Sequence, residues 1–306
     1  MDTDLEELRT LLARHARPDA TTAVEGVLVS KVERSEPPEP ATTGTVMALI
    51  AQGAKRLALG DRVLEYGPGQ YLVASVDLPI TGQFLRVDPE RPALGFGLVL
   101  EPSAVAELLL HAGPAGPGGP RGGGGAVPAL AVCDAPAPLL DAVVRLLRLL
   151  DEPRDRDVLA PLVKREILWR LITGEQGAAV RQLGLADSSL SHVARAVAWI
   201  RRHYAQSFRV EDLARESGMS QSAFYRNFQA VTAMSPIRFQ KQIRLQEARL
   251  LLAARPGDVT GVAHRVGYDS PSQFSREYRR QFGAPPSKDA AHLRRATTGG
   301  AAATAP

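Results

Sequence analysis

The sequence predicts an α+β fold, with a β-rich N-terminal domain flanked by helices and a C-terminal all-α domain of two helix-turn-helix units joined by a long helix. Three observations predict it. Residues 45–101 break into short apolar runs separated by turn residues, residues 137–173 carry helical apolar periodicity, and the last hundred or so residues repeat one pattern twice.

With 306 residues, 44% hydrophobic and 23% charged, the chain has the length for two domains and the composition to bury a core. Its apolar run at 139–150 is broken by Asp141, Arg145 and Arg148, well short of the roughly 20 apolar residues of a membrane span. The N-terminus, Met1-Asp-Thr-Asp-Leu-Glu-Glu, is acidic and lacks the basic-then-apolar layout of a signal peptide, which gives the expectation of a cytoplasmic protein. A single cysteine, Cys133, excludes an internal disulfide framework and a multi-cysteine zinc site. Charge is unevenly placed: residues 1–190 hold 19 Lys and Arg against 25 Asp and Glu, residues 191–306 hold 18 against 8. A half with a net charge of +10 suits phosphate backbones, although acidic lipid or acidic protein would also answer to charge alone.

Along the chain, residues 4–16 predict an amphipathic helix with Leu5, Leu8, Leu11 and Leu12 on one side. Residues 19–43 read as irregular, with a strand at 27–32. TVMALIA, KRLALG, RVLEY, QYLVASV, ITGQFLRVD and LGFGLVLE then give six or seven short strands, an antiparallel sandwich or a small barrel. A helix at 103–111 closes this domain, and the Gly/Pro-rich stretch GPAGPGGPRGGGG (113–125) is a linker or loop. Helices follow at 137–150 and 157–173, the second with Leu159, Leu162, Val163, Ile167 and Leu171 spaced for one buried stripe. They form either a hairpin within the chain or, through LLDAVVRLLRLL, a seam with a second copy. A second linker is expected at 183–189.

The repeat carries the function. In its first copy residues 210–217 predict a helix, Gly218 the turn, and Ser220 the cap of a helix at 221–230; in the second, 259–265, Gly267 and Asp269 or Ser270 precede a helix at 271–280. Helix, glycine turn and capped helix make a helix-turn-helix. Phe224 and Phe228 face inward with Leu213, as Phe274 and Tyr278 do with Val262 and Val266. The opposite faces present Ser222, Tyr225 and Arg226, and Ser272, Ser275 and Arg276 with Gln273 on the flank, hydrogen-bonding side chains suited to base edges. Either arginine suits guanine; a phosphate contact or a solvated face is the alternative. Between the units, residues 236–254 predict one helix with proline in its first turn. Nineteen residues give a strut of about 28 Å, commensurate with the roughly 34 Å turn of B-DNA.

At these residues the chain resembles the AraC/XylS family of transcription regulators. GYDSPSQFSREYRRQFGAPP fits the family's diagnostic second unit and IRLQEARLLL its linker helix, while AQGAKR (51–56), YGPGQYLV and SVDLPITG resemble the cupin-like N-terminal domain of one branch. The sequence departs from the family at Ala233, where many members have glycine, at Gly261 within a helix, and at Lys288-Asp289-Ala290 in place of a closing tyrosine-arginine pair. The resemblance implies a cupin-like β-barrel as effector/regulatory domain at 1–112, a Gly/Pro-rich linker at 113–136, a helical linker or dimerisation hairpin at 137–182, a double helix-turn-helix DNA-binding domain at 190–295 and a disordered tail at 296–306. It implies promoter or operator duplex DNA, RNA polymerase and a small-molecule effector as partners, with a homodimer as an option. Activation is the expected outcome, repression or effector-independent binding the alternatives.

Catalysis has little to stand on. Metal-binding cupins use a His-x-His pair with a nearby acid and a third histidine, and the N-terminal region holds only His15 and His111, one at each end. No metal, cofactor or catalytic residue is therefore assigned, and a cupin-type enzyme fused to a DNA-binding domain is the weaker reading. Tyr66, Tyr71, Phe84 and Phe96 would line an effector pocket or simply fill the core, so the effector-binding residues stay unassigned. Cys133 has no cation beside it in sequence to lower its pKa, which favours a core residue over a redox sensor.

Overall fold

A computed structural model describes residues 2–111, 127–186, 188–254 and 257–291. The Gly-rich stretch at 113–125 and the expected disordered tail at 296–306 lie outside the described residues. Two compact units share the chain: residues 1–195 with 222–234, and residues 196–221 with 235–306.

Among its described residues the first unit contains nine strands: β1 (Val27–Val32), β2 (Glu39–Thr42), β3 (Val46–Gln52), β4 (Ala54–Leu59), β5 (Arg62–Tyr66), β6 (Gln70–Ala74), β7 (Pro79–Leu85), β8 (Ala93–Val99) and β9 (Leu130–Asp134). They build two antiparallel sheets, one ordered β1-β8-β3-β6-β9 and the other β2-β7-β4-β5. Alternation decides which side chains face inward. In the larger sheet Val29, Phe96, Leu49, Tyr71 and Cys133 lie opposite one another in a single row across all five strands. Every member of that row is buried in one core.

Cys133 ends the row, so the segment that the sequence assigns to a linker is in part a strand. LAVCD buries Leu130 and Cys133 on β9, and its pairing with β6 fixes the register that the apolar pattern alone leaves open. Gln176 Nε2 donates to Cys133 Sγ at 2.6 Å, and burial pushes the thiol pKa up, which keeps it a thiol.

Helices cover the same face. They are α1 (Asp2–His15), α2 (Pro102–His111), α3 (Ala137–Arg148), α4 (Pro153–Thr173) and α5 (Gly177–Leu183). Leu5, Leu8, Leu11 and Leu12 of α1 enter the core as their spacing predicts. Seven α3 side chains are buried in the same core, which α1 and α4 complete. The buried side chains of LLDAVVRLLRLL thus pack within this chain.

In α4 the buried stripe is displaced from the one expected. Ala160, Ile167, Leu168, Leu171 and Ile172 are buried, whereas Leu159 and Leu162 are 41% and 60% exposed. The small Ala160 lies against the core where the sequence reading put its larger neighbour, and α4 turns Leu159 and Leu162 outward around it.

One unit boundary falls inside helix α6 (Ser189–Arg202), and the remaining helices are α7 (Val210–Glu216), α8 (Gln221–Thr232), α9 (Pro236–Ala254), α10 (Val259–Arg265) and α11 (Pro271–Phe282). No helix among the described residues is long and apolar enough to cross a membrane.

Candidate nucleic-acid interface

Helices α10 and α11 form the second helix-turn-helix, entirely within the second unit. Val262, Val266, Phe274 and Tyr278 share a core with Leu245, Ala248 and Leu252 of α9, as the i, i+4 spacing of the two aromatics predicts. Packing one face inward leaves the other to solvent: Ser272, Gln273 and Arg276 are exposed and Ser275 is half-buried.

The turn between them needs glycine for two reasons. Gly267 has φ +87°, and a Cβ there would stand 2.1 Å from the Ala205 carbonyl oxygen. Its amide donates to the His264 carbonyl at 3.0 Å, and that of Tyr268 to the Ala263 carbonyl at 2.9 Å. The first turn repeats this pattern: Gly218 (φ +74°) donates to Arg215 and Met219 to Ala214, each at 3.0 Å. Both helix starts also explain residues that the sequence left ambiguous. Ser270, not Asp269, caps α11, accepting from the Gln273 amide at 3.3 Å. Asp258 caps α10 by accepting from the Gly261 amide at 2.8 Å, and a Cβ on Gly261 would lie 2.2 Å from that carboxylate. Gly261 therefore makes room for a cap, which is worth about 1 kcal/mol, and is not simply an interruption of a helix.

Arg244 of α9 holds this unit together and was not singled out by its sequence. Its guanidinium donates to the carbonyls of Tyr204, Ala205, Gln206 and Gly267 at 2.6, 3.2, 3.1 and 2.6 Å, and lies 5.9 Å from the Tyr268 ring centre. Gln240 Nε2, one turn earlier, donates to Tyr204 and Gln206. Glu277 makes a second junction: it accepts from Lys241 Nζ at 2.8 Å, Tyr268 Oη at 2.8 Å and Gln273 Nε2 at 3.1 Å. Burial alone would raise the Glu277 pKa; the bonds from Lys241, Gln273 and Tyr268 outweigh it and hold the carboxyl below its usual value. Gln273 thus has an internal partner as well as an exposed position. Asp289 makes a third junction, accepting from Tyr278 Oη at 2.7 Å and from Arg249 Nε at 2.9 Å.

The first helix-turn-helix divides between the units, α7 in the second and α8 in the first. On α8, Phe224 and Phe228 are fully buried while Ser222, Tyr225 and Arg226 are exposed. Within the first unit, the Ala129 amide donates to the Val231 carbonyl at 3.1 Å, and Met234 lies beside Gly60. Arg226 and Arg276 occupy matching places, two residues after the first buried aromatic of each helix, and neither has an ion pair or hydrogen bond among the described residues. Arg279 and Arg280, also exposed on α11, extend its cationic face, and the run YRRQF could have pointed to them. Among the described residues no group of three or more His, Cys, Asp or Glu is placed to hold a metal ion.

A family model for the N-terminus of AraC-type transcriptional regulators matches residues 23–179. The chain belongs to the AraC family. A helix-turn-helix domain model matches this AraC-family chain at residues 213–291, which cover α10 and α11 and most of α7. The transcriptional regulator ExsA of Pseudomonas aeruginosa is 30% identical over 154 residues, 50% of this chain and 55% of ExsA. The transcriptional activator RhaS of Klebsiella pneumoniae is 30% identical over 124 residues, 40% of this chain and 43% of RhaS. The chain spans about half the length of the curated relatives it matches. A crystal structure of an apo variant of ToxT from Vibrio cholerae shares the fold at 9% identity, with a TM-score of 0.50 over 89% of this chain and all of ToxT.

Proposed function

We propose that this AraC-family chain is a cytoplasmic transcription regulator that reads duplex DNA with α8 and α11 and responds to a small molecule held by its N-terminal β domain. The observation that carries the reading is the pair of exposed arginines, Arg226 and Arg276, at matching places on the two second helices and without an ion pair or hydrogen bond among the described residues. Each arginine projects a planar fork that suits the O6 and N7 acceptors of guanine. Ser222, Tyr225, Ser272, Gln273 and Ser275 supply further donors and acceptors on the same faces, and Arg279 and Arg280 are cations for phosphates. With 19 residues, α9 is about 28 Å long, of the same order as the roughly 34 Å turn of B-DNA.

Effector control follows from the first unit, which holds both the β sheets and α8. A ligand that binds one arrangement of that unit more tightly than another shifts α8 between states, through its difference in affinity alone. Activation, with RNA polymerase as partner, is favoured by the similarity to RhaS. No chemical step is assigned to the chain.

Selection of bound duplexes from a random library tests the reading. The expected product is a site of two conserved elements about 10 base pairs apart, each containing guanine. Recovery of unselected sequence would overturn it.

A further inference from the structure

We infer that Glu277 is a positioning residue for base recognition: it holds the Gln273 amide with its oxygen outward, so that α11 selects adenine at the base pair facing Gln273. The inference rests on the reading of α11 as a DNA-contacting helix and names one of the bases it takes. Gln273 is the third residue of α11, after the Ser270 cap, Pro271 and Ser272. It lies in the N-terminal part of the helix, from which recognition helices reach base edges. The stretch Ser270-Pro-Ser-Gln273 has the spacing of a capping box, in which the glutamine side chain turns back to the amide of the capping residue. Half of that box forms: Ser270 Oγ accepts from the Gln273 backbone amide at 3.3 Å. The side chain instead turns forward, and Gln273 Nε2 donates to Glu277 Oε1 at 3.1 Å.

The carboxylate dictates the sense of that bond. Glu277 also accepts from Lys241 Nζ on Oε1 and from Tyr268 Oη on Oε2, each at 2.8 Å, and its side chain is only 13% exposed. The Tyr268 ring is itself set edge-on against Phe274, 5.3 Å between centres. An ionised carboxylate only accepts, so the amide has to present its nitrogen to Glu277 and its oxygen elsewhere. Gln273 is exposed, and its Oε1 has no hydrogen bond among the described residues. What α11 offers to a groove is therefore an acceptor with the second N–H of Nε2 beside it.

A free glutamine can turn either end of its amide to a base, whereas a tethered one cannot turn over without losing its bond to Glu277. Adenine answers to the tethered form on both counts, since its N6–H donates to Oε1 and its N7 accepts from the remaining N–H. Cytosine supplies a donor at N4 but no acceptor beside it, and guanine and thymine set an oxygen acceptor against Oε1. Gln273 and Arg276 are three apart on one helix, which puts their Cβ atoms about 5–6 Å from each other, and bases follow at about 3.4 Å along a strand. The adenine should therefore lie one or two base steps from the guanine taken by Arg276.

Binding of the full chain to duplexes that differ at one base pair of a selected site tests this. The pair facing Gln273 is the one whose identity stops mattering in Gln273→Ala. At that pair adenine should bind about tenfold more tightly than guanine. Replacing the adenine by purine, which lacks the N6 amine, or by 7-deazaadenine, which lacks N7, should each weaken binding several-fold. Glu277→Gln puts a side chain that both donates and accepts beside Gln273, and should bring adenine and guanine close to parity while preferences at other pairs persist; a merely structural role would weaken all duplexes alike. In the unmutated free chain, ¹⁵N relaxation should show Gln273 Nε2 more ordered than Nε2 of Gln281, which is exposed on the same helix without a hydrogen bond among the described residues. That arm does not depend on a variant folding. Preference for guanine or thymine at the pair, no pair that depends on Gln273, or equal mobility of the two amides would overturn the inference and leave DNA reading through Arg276 standing. An unchanged adenine preference in Glu277→Gln would also overturn it, and recovery of no selected site would remove both the inference and the reading beneath it.

Discussion

The Arg244 guanidinium donates to the Gly267 carbonyl at 2.6 Å, so the long helix of the second unit grips the turn of its helix-turn-helix by the backbone. Three more carbonyls, at Tyr204, Ala205 and Gln206, accept from the same side chain. Arg244→Ala removes one donor from each of the four, with Gln240 still reaching Tyr204 and Gln206, and should destabilise the protein by about 2 kcal/mol, reduced from a larger sum because part of the group is wet. Arg244→Lys keeps the charge without the fork and should recover only a minor share. Urea denaturation midpoints check both; a lysine variant as stable as the parent would contradict the account.

Ala233 has φ +58°, a left-handed conformation that its Cβ disfavours by about 1 kcal/mol. It follows α8 directly, its amide donating to the Gln229 carbonyl at 2.9 Å, which is the position where helices favour glycine. Ala233→Gly should therefore raise stability by about 1 kcal/mol, a gain uncommon for a glycine substitution. Thermal unfolding of the two proteins measures it, and a lower midpoint for the glycine variant would refute the strain.

Glu277 gives the second unit a pH dependence of definite sign. Burial raises its pKa, but the bonds from Lys241, Gln273 and Tyr268 outweigh it, so the folded pKa lies below the ordinary 4.5. Its stabilisation is fully present above about pH 4.5 and is lost as pH falls through the lowered folded value, since the unfolded chain then binds the proton more readily. Glu277→Gln should lose less stability than the parent between pH 7 and pH 3.5, measured by urea midpoints. Equal losses would show that the carboxylate is not the group responsible.

What the sequence made legible followed from short-range pattern. Phe274 and Tyr278 four apart, the glycine turns, and the leucines of α1 all reach the core that their spacing implies, because neighbours on one face of a helix are set by local geometry. Contacts that depend on residues distant in sequence were not legible. Asp289 joins Tyr278 and Arg249, 11 and 40 positions away, and nothing beside it in sequence marks it as an acceptor. Strand β9 was hidden because LAVCD is too short to outweigh its glycine-rich surroundings until β6 supplies a partner. In α4 the spacing admitted two adjacent stripes, and only packing selects Ala160 over Leu159.

The central claim, that matching arginines on α8 and α11 read bases, is tested most directly by titrating Arg226→Ala and Arg276→Ala against a selected site and against random duplex at one salt concentration. Each variant should lose about 1 to 3 kcal/mol on the selected site, roughly a tenfold to hundredfold drop in affinity, with little change on random duplex. An equal loss on both would make the two arginines phosphate contacts and contradict the claim.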